Sequence, residues 1–163
     1  MTKRTKPPMK HLAWAVLPAV LFSSAWNVLS DEKRSRGQLL YVPVYSEVPY
    51  GDKGLTLNLT ATLSLRNTDS KHRITVDKVD YYSSTGKLVR SYLSKPVSLE
   101  PLASVEHVVR ESDRSGGISA SFLVEWESAA SVSVPYVEVL MINSTYNQGI
   151  AFNSPARVLE EKP

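Results

Sequence analysis

Strict alternation of apolar and polar residues over positions 55–65 constrains the fold of this chain more than any other feature. The segment reads Leu-Thr-Leu-Asn-Leu-Thr-Ala-Thr-Leu-Ser-Leu, so every odd position is apolar and every even position is Thr, Asn or Ser. Because successive side chains of a β-strand point to opposite faces, such a strand has one apolar and one polar face. The pattern predicts an antiparallel sheet with one face against a core and the other in solvent.

A second alternating segment, residues 118–127, repeats the pattern. Its apolar positions are Ile118, Ala120, Phe122, Val124 and Trp126. Other short apolar segments follow at intervals of about ten residues, and turn-forming residues separate them. Together they predict an all-β fold, an immunoglobulin-like antiparallel β-sandwich of about seven to nine strands, with a barrel as the alternative.

Three local features refine the predicted strands. Pro43 lies in the first strand, residues 39–45, and its missing backbone N–H predicts a position at a sheet edge or a bulge. The apolar positions of residues 73–82 change parity near residues 77–78, which predicts a bulge there. The tetrapeptide Ser-Ser-Thr-Gly at residues 83–86 predicts a hairpin turn.

The first 25 residues have the composition of an export signal. Four basic residues and no acidic one precede residue 11, an apolar run covers residues 12–22, and Ser-Ser-Ala follows as a cleavage site. The apolar run is far shorter than the ~20 residues that span a bilayer. We therefore expect a signal peptide at residues 1–25 and a periplasmic or otherwise exported protein. The alternative is an uncleaved helix over residues 12–29 that anchors the chain in the inner membrane.

Beyond this N-terminus the chain is close to neutral. It holds 15 of the 19 basic residues and all 16 acidic ones, so the net charge of +3 comes from the N-terminal segment. This balance argues against a nucleic-acid partner, and it leaves membrane contact to the N-terminal segment alone, if that segment stays uncleaved. Residues 26–37 lack periodicity and hold five charges, which predicts a flexible linker. Residues 38–163 then form a single β-sandwich domain.

Few residues in the chain suggest chemistry. The sequence has no cysteine, which excludes a lipoprotein anchor, disulfides, a thiolate nucleophile and Cys-based metal sites. His107 and Asp113 are weak polar candidates for a site; His107 alternates with two valines, which favours a satisfied, partly buried ring over a general base. Glu125 and Glu127 share the polar face of one strand, where a solvated pair is commoner than a glycosidase acid and base. No catalytic residue, cofactor or metal is predicted.

Residues 132–142 break the alternation because they are apolar on both faces. One face consists of Val137, Val139 and Met141, and the other of Tyr136, Leu140 and Ile142 with Glu138 among them. The outer face of a sandwich sheet is normally polar. The pattern therefore predicts either that a loop or the linker covers this face, or that it is an interaction patch, made of Tyr136, Glu138, Leu140 and Ile142.

Several short motifs, in this order, resemble the bacterial domain-of-unknown-function 3124 family. They lie at residues 81–89, 101–106, 116–126, 137–142 and 148–152. The resemblance covers about residues 38–159, nearly the whole predicted domain. It implies an exported or membrane-tethered bacterial β-domain without an established activity, and it carries over no catalytic residues.

Three functional hypotheses follow. The first is a non-enzymatic binding or assembly module of the cell envelope, whose partner is an envelope protein or another periplasmic component. The second is a periplasmic hydrolase whose site assembles from separated residues, with His107, Asp113 and Glu138 as candidates. The third is a membrane-anchored accessory domain. A pocket joining two of the three polar residues favours the hydrolase, whereas a flat apolar face around Tyr136 and Leu140 favours the binding module.

Overall fold

Twelve β-strands make up the secondary structure of residues 33–144 and 149–162, the part of the chain that this computed structural model describes. In chain order they are β1 (Arg34–Val44), β2 (Glu47–Tyr50), β3 (Leu55–Asn58), β4 (Thr60–Arg66), β5 (Ile74–Tyr82), β6 (Leu88–Ser91), β7 (Val97–Leu99), β8 (Ser104–Val109), β9 (Ala120–Ser133), β10 (Tyr136–Asn143), β11 (Ile150–Pro155) and β12 (Arg157–Lys162). These residues include no helix that is long and apolar enough to cross a membrane. The predicted N-terminal signal or anchor, at residues 1–29, lies outside the described residues.

Two antiparallel sheets form the layers of the fold. The six-stranded sheet has the order β12-β1-β9-β5-β6, with β7 also paired to β5, and the four-stranded sheet has the order β11-β10-β4-β8. Strands β2 and β3 form a separate hairpin. The predicted all-β class is confirmed, in a sandwich-like arrangement, and the immunoglobulin-like strand order stays a prediction.

The hydrophobic core lies between the two larger sheets, and side chains from the inner faces of both sheets form it. Trp126, Tyr81 and Phe122 are fully buried side chains of the six-stranded sheet, and Leu63 and Leu65 are fully buried in the four-stranded sheet. Burying one leucine side chain contributes about 1.5–3 kcal/mol, so this pair contributes roughly 3–6 kcal/mol before conformational entropy offsets it.

The alternating segment at residues 55–65 is not one strand. Residues 55–58 form β3 of the hairpin and residues 60–66 form β4, while the backbone N–H of Leu59 donates to the carbonyl oxygen of Ser46 at 2.8 Å. Leu59 and the apolar positions of β4 are buried, but Leu55 is 49% exposed. The predicted inward face is therefore correct for the second half of the segment and wrong for its start.

The predicted bulge and hairpin turn are both present. The register of β5 against β9 shifts between Val76 and Lys78, so Asp77 is the extra residue. The turn that follows β5 has Gly86 at φ +76°, a conformation that glycine adopts without strain, and the N–H of Ser83 donates to Lys87. The bulge restores the inward direction of Val79 and Tyr81.

Strand β1 differs from its prediction in two ways. It begins at Arg34, so residues 34–37 are strand rather than linker. It also lies in the sheet interior between β12 and β9, not at an edge. Pro43 is tolerated because pairing with β12 ends at Tyr41, which leaves Pro43 paired on one side only, with Ser121 of β9.

Residues 132–142, predicted as one strand, belong to two strands in different sheets. Strand β9 ends at Ser133, and β10 begins at Tyr136. The intervening N–H of Val134 donates to the carbonyl oxygen of Lys33 at 3.2 Å. The turn thus brings the chain from the six-stranded sheet into the centre of the four-stranded one.

Candidate functional site

The outward side of the four-stranded sheet, here called the outer face, carries large apolar side chains on its central strand β10. Tyr136 is 47% exposed, and Leu140 and Ile142 are each 40% exposed. Between them, Val137, Val139 and Met141 are buried against the core. The odd-numbered residues of β10 therefore face the core and the even-numbered ones face outward, as the sequence predicts. Because β10 is central, these exposed side chains lie on a paired strand rather than on a loop.

Neighbouring strands extend this surface. Leu140 lies opposite Thr62 of β4, and Ile142 lies opposite Thr60. Val108 of β8 pairs with Thr62 on its other side and is 47% exposed. We call the exposed apolar group the outer patch and define it as Tyr136, Leu140, Ile142 and Val108. Within the patch, Thr62 lies between Leu140 and Val108, and Glu138 lies between Tyr136 and Leu140 on β10.

Glu138 forms the polar part of this face. Its Oε2 atom accepts hydrogen bonds from the Tyr136 hydroxyl at 3.1 Å and from Nδ2 of Asn153 at 2.6 Å. The hydrogen bond to the Glu138 carboxylate raises the pKa of Tyr136, since ionising the phenol would place two negative charges together. Glu138 is thus held in place beside the patch.

His107 lies on β8 with its ring on the inner side of the sheet, opposite buried Leu63. Its Nε2 atom is buried and has no hydrogen-bond partner among the described residues. The ring packs against Tyr92, and burial lowers the pKa of His107 below its ordinary value. His107 is partly buried, but its Nε2 lacks the hydrogen bond that a satisfied core histidine would have.

Asp113 lies in the loop between β8 and β9. Its carboxylate accepts hydrogen bonds from the Ser115 hydroxyl and backbone N–H, and from Arg90 Nη2 at 2.9 Å. The Ser115 hydroxyl, followed by the other donors, lowers the pKa of Asp113. Arg90 also donates to the Tyr92 hydroxyl at 3.2 Å, so Asp113 and His107 are linked through two intervening side chains.

Tyr81 is a polar residue that is not among the site candidates predicted from the sequence. Its side chain is fully buried, its hydroxyl has no hydrogen-bond partner among the described residues, and burial raises its pKa to about 12. A Cβ atom placed on Gly116 would collide with this hydroxyl. The parity change at the β5 bulge was the only sequence signal that Tyr81 faces inward.

These residues do not form one reactive constellation. Glu138 is on the outer face, whereas His107 is on the inner side of the same sheet. On the other sheet, Glu125 is paired with Lys162 at 2.9 Å and with Lys78 at 3.4 Å. Within residues 33–144 and 149–162, no group of three or more His, Cys, Asp or Glu side chains could hold a metal ion.

Cavities occur elsewhere on the surface. One of about 440 Å³ is lined by Asn58, Arg110, Glu111 and Ser112. A smaller one of about 170 Å³ lies where the two sheets meet, and Leu40, Val137 and Val158 are among its lining residues. Tyr136 also lines this second cavity, so the outer patch borders an apolar opening at one side of the fold.

Comparison with known proteins gives one family and one similar structure. No curated protein matches the chain. A crystal structure of Thermotoga maritima 1070, from Thermotoga maritima, is 14% identical; the match covers 78% of this chain and 97% of that chain, with a TM-score of 0.45. The family described as Protein of unknown function (DUF3124) matches residues 37–159. The resemblance found in the sequence is confirmed, and the chain belongs to the DUF3124 family.

Proposed function

We propose that this protein is a non-enzymatic binding or assembly module of the bacterial cell envelope, and that the outer patch is its contact surface. One observation carries the proposal: Tyr136, Leu140 and Ile142 are 40–47% exposed on a central strand. The outer face of an antiparallel sandwich sheet is usually polar, because it faces water. A cluster of exposed large apolar side chains accompanied by polar residues is typical of an interaction site.

The dispersal of the polar candidates supports binding over hydrolysis. General acid–base catalysis needs groups within hydrogen-bond reach of one substrate atom. The Asp113 carboxylate accepts hydrogen bonds from Ser115 and Arg90. The Glu138 carboxylate accepts one from Tyr136, and it lies on the opposite side of the sheet from His107. A two-sheet fold with exposed apolar side chains on a central strand suits recognition of another protein. Many cell-surface domains use such sandwiches, including the immunoglobulin-like class that we propose here.

The sequence of the N-terminal segment supports the proposed location. A basic start, a short apolar run at residues 12–22 and small residues before position 26 are typical of an export signal. We therefore propose a periplasmic or otherwise exported protein whose partner is an envelope component. The alternative, an inner-membrane anchor at residues 12–29, keeps the same domain on the same side of the membrane. Mass spectrometry of the protein from cells separates the two, because cleavage gives a chain that starts at Trp26.

Site-specific photo-crosslinking in intact cells tests the contact surface. A photoreactive amino acid is introduced at Leu140 and, as the matched control, at Leu88, a 54% exposed leucine on the other sheet. We expect a discrete crosslinked species from position 140 that is absent from position 88. Equal yields at the two positions, or no crosslink from positions 136, 140 and 142, would refute the outer patch as a contact surface.

A further inference from the structure

We propose that the outer patch binds a second copy of this chain, with the two outer faces packed together about a two-fold axis parallel to the strands. This inference rests on the proposed function, because it takes the outer patch as the contact surface. It adds the identity of the partner. Closed two-fold dimers are the commonest assemblies of soluble proteins, and their interfaces use the same surface on both copies.

The register of β10 and β4 makes the outer face self-complementary in charge. Tyr136 lies opposite Arg66, and Glu138 lies opposite Ser64. A two-fold axis that runs between these strands places β10 of one copy over β4 of the other at the same level. Arg66 of each copy then faces Tyr136 of the other, with Glu138 of the other copy diagonally adjacent. A guanidinium next to an aromatic ring and a carboxylate is attracted by both.

The apolar half of the face is complementary in the same arrangement. Leu140 and Ile142 lie opposite Thr62 and Thr60 within the sheet, so in the dimer each would meet those threonines of the second copy. The threonine methyl groups give the apolar side chains a surface to pack against. Thr60 and Thr62 are both half-buried, so little flexible polar surface must lose water. The contact therefore removes apolar area from water, and Arg66 and Glu138 at its centre are paired across it. Glu106 of the edge strand β8, opposite Ser64, is a further charge on this face.

The area of the face is close to what a weak specific dimer requires. Four strands about 4.8 Å apart, with seven residues at about 3.4 Å each, outline about 450 Å² per copy. Two copies would bury roughly 900–1,000 Å² in total, which lies at the lower limit for specific protein interfaces. We therefore expect a reversible, concentration-dependent dimer rather than an obligate one.

Molar mass in solution provides the first test. The full chain, purified from cells with mild detergent if it stays with the membrane, is measured by light scattering after gel filtration over a range of concentrations. The molar mass of the wild type should increase with concentration towards twice the monomer mass. Leu140→Arg should remain monomeric, whereas Leu88→Arg should dimerise as the wild type does. Circular dichroism of each variant establishes that it is folded.

Charge exchange provides the decisive test. Arg66→Glu places a second carboxylate near Glu138 of the other copy, and Glu138→Arg places two guanidinium groups together, so each variant alone should dimerise at least ~10-fold more weakly. In an equimolar mixture of the two variants, the introduced carboxylate meets the introduced guanidinium, and the remaining Arg66 meets the remaining Glu138. The mixture should form a heterodimer with an affinity within ~3-fold of the wild type.

The outcomes separate this inference from the proposed function. The proposal that a second copy is the partner is refuted if the wild type stays monomeric at every concentration. It is also refuted if the two charge variants do not dimerise with each other. If position 140 still crosslinks to a different envelope protein in cells, the contact surface stands and only its occupant changes. If both measurements fail, the proposed function fails with the inference.

Discussion

The ring of His107 packs against the ring of Tyr92, with 5.1 Å between their centroids and 59° between their planes. The hydroxyl of Tyr92 donates to the carbonyl oxygen of Val108, the next residue on β8, and accepts a hydrogen bond from Arg90. Tyr92 thus holds the edge strand β8 of one sheet to the segment that follows β6 of the other. The imidazole of His107 is partly buried, and burial disfavours its charged form.

We expect the free energy of unfolding to decrease as the pH falls through the ordinary histidine pKa of about 6.5. Burial lowers the pKa of folded His107, so the unfolded chain binds a proton that the folded chain does not. The contribution of the neutral ring is fully present above about pH 6.5 and is lost progressively below it. Thermal melts of the wild type and His107→Gln over this pH range measure the effect.

His107→Gln should flatten the pH dependence of the melting temperature. His72→Gln is the comparison variant, since His72 is an exposed histidine in the turn between β4 and β5, with its Nδ1 3.1 Å from Asp69 Oδ1. It should retain the slope that His107 causes. An unchanged slope in His107→Gln would show that the ring is accommodated in its charged form.

The buried carboxylate of Asp69 should stabilise the turn after β4. It accepts backbone N–H groups from Lys71 at 2.8 Å, His72 at 2.9 Å and Ser133 at 3.1 Å. These donors, the Lys71 N–H above all, hold the pKa of Asp69 well below its usual range. The stability that the carboxylate contributes is present above the ordinary pKa of an aspartate and is lost as the pH falls towards the lower folded value.

Asp69→Asn should therefore lower the melting temperature at neutral pH and reduce the loss of stability in acid. An asparagine amide has one acceptor oxygen and its nitrogen is a donor, so it cannot accept from both the Lys71 and the Ser133 N–H groups as the two carboxylate oxygens do. Asp113→Asn, in a loop whose residues are mostly exposed, is the control and should lower the melting temperature less. Equal effects at the two positions would contradict the special role of Asp69.

Sequence alternation predicted the direction of side chains better than the ends of strands. The outward positions of β10 and the bulge at Asp77 followed from parity, because side-chain direction depends on local backbone geometry. The division at Leu59 did not follow, since β3 and β4 alternate alike and only the hydrogen bond from Leu59 to Ser46, in the bend between β1 and β2, separates them. Strand boundaries depend on pairing between segments that are distant in sequence.

The candidate site was predictable where its residues lie on one strand and not where they lie on separate segments. The exposed residues of β10 belong to one strand, so a single-strand pattern was enough to find them. The link from His107 through Tyr92 and Arg90 to Asp113 joins three separate segments, and no spacing in the sequence indicates it. The same reason explains why Tyr81, whose hydroxyl meets Gly116, was not recognised as a buried polar residue.

Tyr81→Phe should increase the free energy of unfolding by about 1–3 kcal/mol. The hydroxyl is buried without a hydrogen-bond partner among the described residues, so its removal eliminates a desolvation penalty of about 1–3 kcal/mol and no interaction. Urea denaturation measures the difference. Tyr82→Phe, on the half-exposed neighbour, is the control and should change stability by less than about 0.5 kcal/mol. A clear loss of stability in Tyr81→Phe would mean that the hydroxyl has a partner in solution.

Gly116→Ala should destabilise the fold by about 1–3 kcal/mol or more, as overpacked cores do. The added methyl would collide with the Tyr81 hydroxyl and lie 2.8 Å from Cβ of Ala120. Gly149→Ala is the control, because the nearest atom to its methyl is 3.8 Å away. Adding Tyr81→Phe should recover part of the loss, since it removes the nearest obstacle. Full tolerance of Gly116→Ala would show that this loop moves away from Tyr81 freely.

The two halves of the alternating segment should respond differently to the same substitution. Leu63 is fully buried in β4, whereas Leu55 is 49% exposed in the hairpin. Leu63→Ala leaves a cavity between the sheets and should reduce the free energy of unfolding by about 2–5 kcal/mol. Leu55→Ala, the same change in the same sequence pattern, should reduce it by no more than about 0.5 kcal/mol. Urea denaturation of both variants compares them directly, and equal losses would mean that the hairpin packs into the core as the unbroken alternation first predicted.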